Sequence, residues 1–347
     1  MPGKSKGKGA GAGKGKSRST PSKSSRQKKK IRKKQGDKLL TAVAFIAVIA
    51  IAVIALANMG GFGNTSVSLP EKIATPTGAT KSSVPPTTFA ETDSLLRFDF
   101  IDVGQGDSTL ITTPGGEYIL VDTGTSIETR LIKHLEASGV DEIDYLILTH
   151  PHNDHIGGAA SVLAKFDVKC VIMPDAATNT TLFDKFYRAI AREKKNGCKV
   201  YSAEPGDRYE IDGCTLSILA PFECDEEELN NSSVVMKLSY KGYDAMFSGD
   251  AERIVEDSLL LYGDDLDCEL YKVAHHGSDT SSTADFVRAV SPDVSVISCG
   301  VDNSYGHPNA EIVKRLGDNG SAVYVTADIG TVTVLTDGVG YSVLSDR

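Results

Sequence analysis

Thr149-His150-Pro151-His152-Asn153-Asp154-His155-Ile156-Gly157-Gly158 follows directly on the apolar run Tyr145-Leu146-Ile147-Leu148. The chain has seven His, and three of them fall inside these ten residues. The stretch reads as a buried strand that ends in a polar turn. His150 and His152 stand two apart in extended chain, so both rings face the same side and meet one ion. Asp154 and His155 follow as the chain turns into a helix, and they face a second ion. Imidazole with carboxylate suits Zn²⁺, with Mn²⁺ and Fe as alternatives, and one or two ions are expected. Gly157-Gly158, at the helix start, is read as a source of backbone N–H groups for an anionic oxygen.

Working outward, three more His occur as the pair His275-His276 and as His307, each near the end of an apolar run. His134, the seventh, lies in a helical pattern and reads as a surface residue. Strand patterns cover Leu96–Val103, Ser108–Thr113, Glu117–Asp122, Ile143–Thr149, Cys170–Met173 and Val234–Ser239. Others cover Asp244–Ser248, Glu269–Ala274, Val294–Ser298, Ala322–Thr326 and Val332–Thr336. Helical periodicity covers Ile127–Ala137, Thr181–Lys195, Ala251–Tyr262, Ser282–Val290 and Ala310–Leu316. The order implies a layered α/β domain over residues 94–347, with no repeat visible in the sequence itself.

The formal charge of −9 over 347 residues is an average of two unlike parts. Residues 1–38 carry 15 Lys/Arg against Asp37 alone, while the rest carries 22 basic and 45 acidic residues, a net −23. The basic segment has almost no apolar side chains and is expected to be a disordered cytoplasmic tail. Leu39–Ala57 is then 19 residues with no charge. That is about 28 Å of helix, close to the roughly 30 Å hydrocarbon core, and predicts a transmembrane helix over 39–59. The basic excess before it predicts a cytoplasmic N-terminus, an extracytoplasmic domain and contact of the tail with anionic lipids. Ala55-Leu56-Ala57 also fits a signal-peptidase site, the alternative being a domain secreted after cleavage near Ala57. Residues 60–93, rich in Gly, Ser, Thr and Pro, read as a linker. The composition excludes collagen-like, coiled-coil and wholly disordered chains.

His-x-His-x-Asp-His after an apolar strand resembles the signature of the metallo-β-lactamase superfamily, an αββα sandwich with metals at one sheet edge. Phe100-Ile-Asp-Val-Gly-Gln-Gly-Asp107-Ser108, Leu120-Val-Asp122-Thr-Gly124 and Ser248-Gly-Asp250 narrow the match. So do Lys272-Val-Ala-His275-His276-Gly-Ser278 and Tyr305-Gly-His307-Pro308. Together, over about Leu96 to Leu344, they resemble the hydrolase domain of ComEC-type DNA-uptake proteins. The resemblance implies metal ligands at His150, His152, Asp154, His155, Asp250 and His276, with Asp250 bridging both ions. It implies that Asp122 orients ligands from behind, and that Asp154, His275, His307 and Asp107 serve catalysis, with Tyr305 beside the cleft. Adjacent residues on a strand end point opposite ways, so one of His275 and His276 takes the ion and the other faces substrate; the favoured assignment gives His276 to the metal. The superfamily's glyoxalase II and β-lactamase branches use a further His ligand between the first cluster and the bridging Asp. This chain has no His between His155 and Asp250.

The chemistry implied is hydrolysis by metal-activated water, most suited to phosphodiesters. Nothing supplies another nucleophile, because Gly-x-Ser-x-Gly and P-loop motifs are absent. The resemblance points to DNA as substrate and to an uptake channel as partner, whereas the −23 of the domain opposes general affinity for duplexes. A cell-envelope phosphodiesterase, acting on teichoic acid or phosphorylcholine esters, is the alternative, and a non-catalytic tethered binding module is the second. Six Cys stand at 170, 198, 214, 224, 268 and 299 without a Cys-x-x-Cys pair. Cys170 and Cys299 are expected to be buried thiols. The expected location permits a disulfide among Cys198, Cys214 and Cys224.

Overall fold

Arg208-Tyr-Glu-Ile211 and Cys214-Thr-Leu-Ser-Ile-Leu-Ala220 are joined by Asp212-Gly213, whose φ values are +46° and +79°. A two-residue turn with positive φ at both positions closes a hairpin that keeps the natural strand twist. Along Cys214–Ala220 every second side chain is buried, so one face of the strand belongs to a core. Neither of these strands is among those read from the sequence.

In this computed structural model the described residues are 95–126, 129–263 and 265–347. The expected tail (1–38), membrane helix (39–59) and linker (60–93) lie outside the described residues, as does the expected helix start at Ile127. Among the described residues no helix is long and apolar enough to cross a membrane. The strands are β1 (Leu96–Phe100), β2 (Thr109–Thr112), β3 (Tyr118–Val121), β4 (Glu142–Ile147), β5 (Asp167–Met173), β6 (Lys199–Ser202), β7 (Arg208–Ile211) and β8 (Cys214–Ala220). They continue with β9 (Val235–Tyr240), β10 (Tyr243–Phe247), β11 (Leu270–Lys272), β12 (Val294–Ile297), β13 (Ala322–Val325), β14 (Val332–Thr336) and β15 (Tyr341–Ser345). One sheet has the order β15-β14-β1-β2-β3-β4-β5-β6, the other β13-β12-β11-β10-β9-β8-β7. Each passes from antiparallel neighbours (β1–β3, β7–β10) to parallel ones (β3–β6, β10–β13). The two halves thus share a plan that no sequence repeat reveals.

Between the sheets lie Phe98, Phe100, Ile147, Leu216, Leu238 and Phe247, with the Phe100 and Phe247 rings stacked at 6.1 Å. Helices Arg130–Ala137, Ala159–Lys165 and Thr181–Glu193 cover the outer face of the first sheet through Leu131, Leu135, Val162, Phe183 and Phe186. Helices Arg253–Tyr262, Ala284–Val290 and Ala310–Asp318 cover the second through Leu259, Phe286 and Ile312. The result is the αββα layering. All six cysteines are free, so the disulfide that the expected location permits is not formed. Cys214 points into the space between the sheets, Cys198 into the outer helix layer and Cys224 to solvent, so the three thiols face different compartments.

Candidate metal centre

Five strands end at one edge of the sandwich, and each passes a loop to the same cleft. β3 runs into Asp122, β4 into His150, β10 into Asp250, β11 into His275-His276 and β12 into the loop that carries His307. These are carboxyl ends of strands with a parallel neighbour, where loops converge and ligands bind. The cleft holds about 320 Å³ and is lined by His152, Asp154, Asn230, Asp250, His275, His276 and His307, among others. Gly249 makes the sharp turn into Asp250: its φ is +51°, and a Cβ there would lie 2.8 Å from Thr149. Gly106, with φ +144°, passes so close to the cluster that a Cβ would lie 2.5 Å from the Asp154 carbonyl oxygen.

His150, His152 and Asp250 form one donor group. His150 Nε2 lies 2.9 Å from His152 Nδ1 and 3.7 Å from Asp250 Oδ2. Burial, and then the charge on His155, hold the His150 imidazole well below its ordinary pKa, so this ring is neutral. Ser233 braces the group, with its Oγ 3.3 Å from His150 Nδ1 and accepting from the Asp250 N–H at 3.0 Å.

Asp154, His155, Asp250 and His276 form the second group, so Asp250 belongs to both. His155 Nε2 is 3.2 Å, and His276 Nε2 3.6 Å, from Asp250 Oδ2; Asp154 Oδ2 is 3.3 Å from His276 Nε2. The other face of each ring is held from behind. His155 Nδ1 donates to Asp122 Oδ2 at 2.8 Å, and Asp122 also accepts from the Thr149 N–H and hydroxyl. His276 Nδ1 donates to the Ser298 carbonyl at 2.9 Å. With Nδ1 protonated, Nε2 is the nitrogen that each ring turns to the cluster. Asp122 therefore stands where the resemblance puts it, behind a ligand.

The donor set fits divalent metal ions. Among the described residues, His155 Nε2, His276 Nε2 and Asp250 Oδ1 are buried without a hydrogen-bond partner. Such groups are costly unless something satisfies them. Burial alone would depress the pKa of His155 and His276, but Asp250, with Asp122 and Asp107 behind, raises His155 well above its ordinary value and His276 to about 10. The same rings outweigh burial at Asp250 and hold its carboxylate well below the usual range. The carboxylates thus favour positive charge at these rings, which is the environment a divalent cation would meet there.

Other positions differ from the reading of the sequence. β11 stops at Lys272, so His275 and His276 do not alternate on a strand. Both have left-handed backbone (φ +50° and +54°), which sends His276 inward at 1% side-chain exposure and leaves His275 at 19% on the cleft wall. His275 Nδ1 meets Thr280 Oγ1 at 3.0 Å, and its Nε2 lies 3.8 Å from Asp250. His307 also lines the cleft, its ring 5.6 Å from that of His275 and 6.1 Å from that of His276. Burial, then the charge on His276, lowers the His307 pKa.

Asp107, which the resemblance assigns to catalysis, does not line the cleft. It is buried behind His276, with Oδ1 3.2 Å from His276 Nδ1 and Oδ2 accepting from Lys272 Nζ at 2.7 Å. Lys272, quoted in the motif around His275-His276 but given no role there, stands out as the cation in the buried strand Leu270–Lys272. Gly157 and Gly158 do not present N–H groups to the cleft. They are buried, Gly158 N–H donates to the Gly124 carbonyl, and a Cβ on either would lie within 2.4 Å of backbone atoms. Close packing of the helix start on residues 123–126 explains both glycines. His134 is half-buried, 3.6 Å from Asp99, rather than a free surface residue.

Residues 101–301 match the family model of the metallo-beta-lactamase superfamily. The chain belongs to the metallo-beta-lactamase superfamily. It is 31% identical over 252 residues to ComE operon protein 3 of Bacillus subtilis, which covers 67% of this chain and 32% of that protein. It is 29% identical over 232 residues to competence protein ComA of Neisseria gonorrhoeae, covering 63% of this chain and 29% of that one. The chain therefore spans about a third of the length of these curated relatives. Among solved structures, Igni18, a metallo hydrolase from Ignicoccus hospitalis, aligns with a TM-score of 0.49 at 14% identity, covering 69% of this chain and 98% of that one. The superfamily comprises metal-dependent hydrolases, and the His/Asp cluster around Asp250 is a potential binding site for divalent ions in this member.

Proposed function

We propose that this metallo-beta-lactamase superfamily member is a phosphodiesterase that works outside the membrane, tethered by a helix at 39–59. The observation that carries the reading is the shared carboxylate: Asp250 stands between His150/His152 on one side and Asp154/His155/His276 on the other. His150, His152, Asp154, His155, Asp250 and His276 would hold divalent ions, Zn²⁺ or Mn²⁺, which would supply an acidified water and charge neutralisation suited to phosphoryl displacement. Asp154 stands on the cleft wall, where hydrogen bonding to His276 and the charge on His155 outweigh burial and keep it ionised. It is placed to accept a hydrogen bond from the attacking water. His275 and His307 also line the cleft and are placed to bond the leaving oxygen.

Similarity to competence proteins favours a nucleic-acid substrate. A second reading, a small phosphodiester of the cell envelope, is favoured by the acidic run Glu223-Cys-Asp-Glu-Glu-Glu228, which leads into Asn230 at the cleft. Carboxylates there repel a long polyanion, whose affinity comes from Lys and Arg contacts. In either reading the basic tail binds anionic lipid, and DNA uptake requires a separate channel protein. The test is turnover by the full-length protein in detergent with Mn²⁺ or Zn²⁺, on bis(p-nitrophenyl) phosphate and on plasmid DNA. Cleavage of DNA that His152→Ala abolishes supports the nuclease, and cleavage of the small diester alone supports the envelope enzyme. Turnover of neither, with both ions bound, leaves a tethered binding module and overturns the proposal.

A further inference from the structure

The two donor groups are unequal. The second contains four side chains; the first has His150, His152 and the shared Asp250. Asn230 stands beside the first group. It sits in the short turn Leu229–Ser232, which leads directly to Ser233, the residue whose hydroxyl braces both His150 and the Asp250 backbone. The turn is therefore tied to the cluster. Asn230 Nδ2 donates to Glu252 Oε1 at 3.2 Å, and Glu252 is itself fixed by the Thr280 hydroxyl and by the Asn231 side chain, which accepts from its N–H. With Nδ2 committed to Glu252, the amide oxygen is turned to the opposite side. Oδ1 is buried without a hydrogen-bond partner among the described residues, and Asn230 lines the cleft together with His152 and Asp250. A buried carbonyl-type oxygen left unsatisfied at the edge of a donor group is what a cation ligand looks like before the cation is present.

We infer that Asn230 supplies, through Oδ1, the third protein donor for the ion held by His150 and His152. This rests on the two-ion reading of the site. It gives the first position two imidazoles, one neutral carboxamide and a share of Asp250. That set is harder and weaker for Zn²⁺ than three imidazoles, and it narrows the advantage of Zn²⁺ over Mn²⁺. The first position is the weaker one, and Asn230 sets which metal fills it.

The experiment titrates Mn²⁺ and Zn²⁺ separately into metal-stripped full-length protein in detergent, against a competing chelating dye, with the bound ions counted by mass spectrometry. The wild type binds two ions per chain in unequal steps. Asn230→Leu, close to Asn in shape but without a donor, weakens the weaker step by at least about ten-fold and leaves the tighter one within two-fold. Asn230→His strengthens the weaker step for Zn²⁺ by at least about ten-fold, a gain that misfolding does not produce. Two steps that stay within two-fold of wild type in both variants overturn the role of Asn230 while leaving the two-ion site standing. Failure of the wild type to bind two ions overturns the two-ion reading, and this inference with it.

Discussion

Lys272→Met removes one half of a buried ion pair that supports the metal centre from behind. Lys272 and Asp107 are both buried, and their charged atoms are 2.7 Å apart. Burial alone would raise the Asp107 pKa, but Lys272, and after it His276, lower it to about 2. Against about 3.9 in an unfolded chain, and at about 1.4 kcal/mol per unit, the surroundings favour the carboxylate by roughly 2–3 kcal/mol net of burial. Without Lys272 the favourable part shrinks while the cost of burial remains. The loss is expected at about 3–5 kcal/mol, the range for a buried charge left without its partner. For a domain of this size that lowers Tm by roughly 6–20 °C. Urea unfolding of wild type, Lys272→Met and the double variant Lys272→Met/Asp107→Leu measures it. The double variant, which buries no charge, is expected to recover most of the loss. A single-variant cost below about 1 kcal/mol, or a double variant no better than the single, refutes the reasoning.

Asp99 is buried, and burial would raise its pKa. The His134 ring 3.6 Å away and hydrogen bonds from Arg97 and Thr333 lower it instead, with both Arg97 contacts within 2.8 Å. Its contribution is therefore complete above about pH 4 and is lost as pH falls through the lower folded value. The stability gap between wild type and Asp99→Asn in urea should shrink from pH 6 to pH 3, and a constant gap contradicts this. Thr180 caps helix Thr181–Glu193 by accepting from Phe183 N–H at 3.1 Å, so Thr180→Ala should cost about 1 kcal/mol without changing metal content. An unchanged urea midpoint rules out the cap. Gly106→Ala forces a Cβ onto the Asp154 carbonyl, and should weaken the second metal position several-fold in a chelator competition while the other holds. Equal affinities in variant and wild type would show that the contact relaxes freely.

The contiguous part of the site was readable because its physics is local. His150, His152, Asp154 and His155 lie within six residues, and strand-then-helix geometry alone turns them to one place. Asp250 and His276 are 95 and 121 residues beyond His155. No local pattern links them to the first cluster, and only the resemblance did so. Lys272, Ser233, Asn230 and Glu252 matter through contacts made across the assembled edge, which no spacing encodes. Among strands, those whose sides both face a core stood out as apolar runs. β6 and β15 are edge strands with largely exposed side chains, so neither an apolar run nor a clean alternation marks them. The β7–β8 hairpin was readable in principle: Cys214–Ile218 alternates apolar and polar residues and follows Asp-Gly, a strong short-range hairpin signal.

The central claim is that two divalent ions share Asp250. Anomalous diffraction at the metal edge from crystals grown with Mn²⁺ or Zn²⁺ tests it most directly. Two peaks are expected in one cleft, one beside His150 and His152 and one beside Asp154, His155 and His276. Both should be ligated by Asp250, and both should weaken in Asp250→Asn. A cleft without metal, or an Asp250→Asn variant that retains both ions at full occupancy, would contradict it.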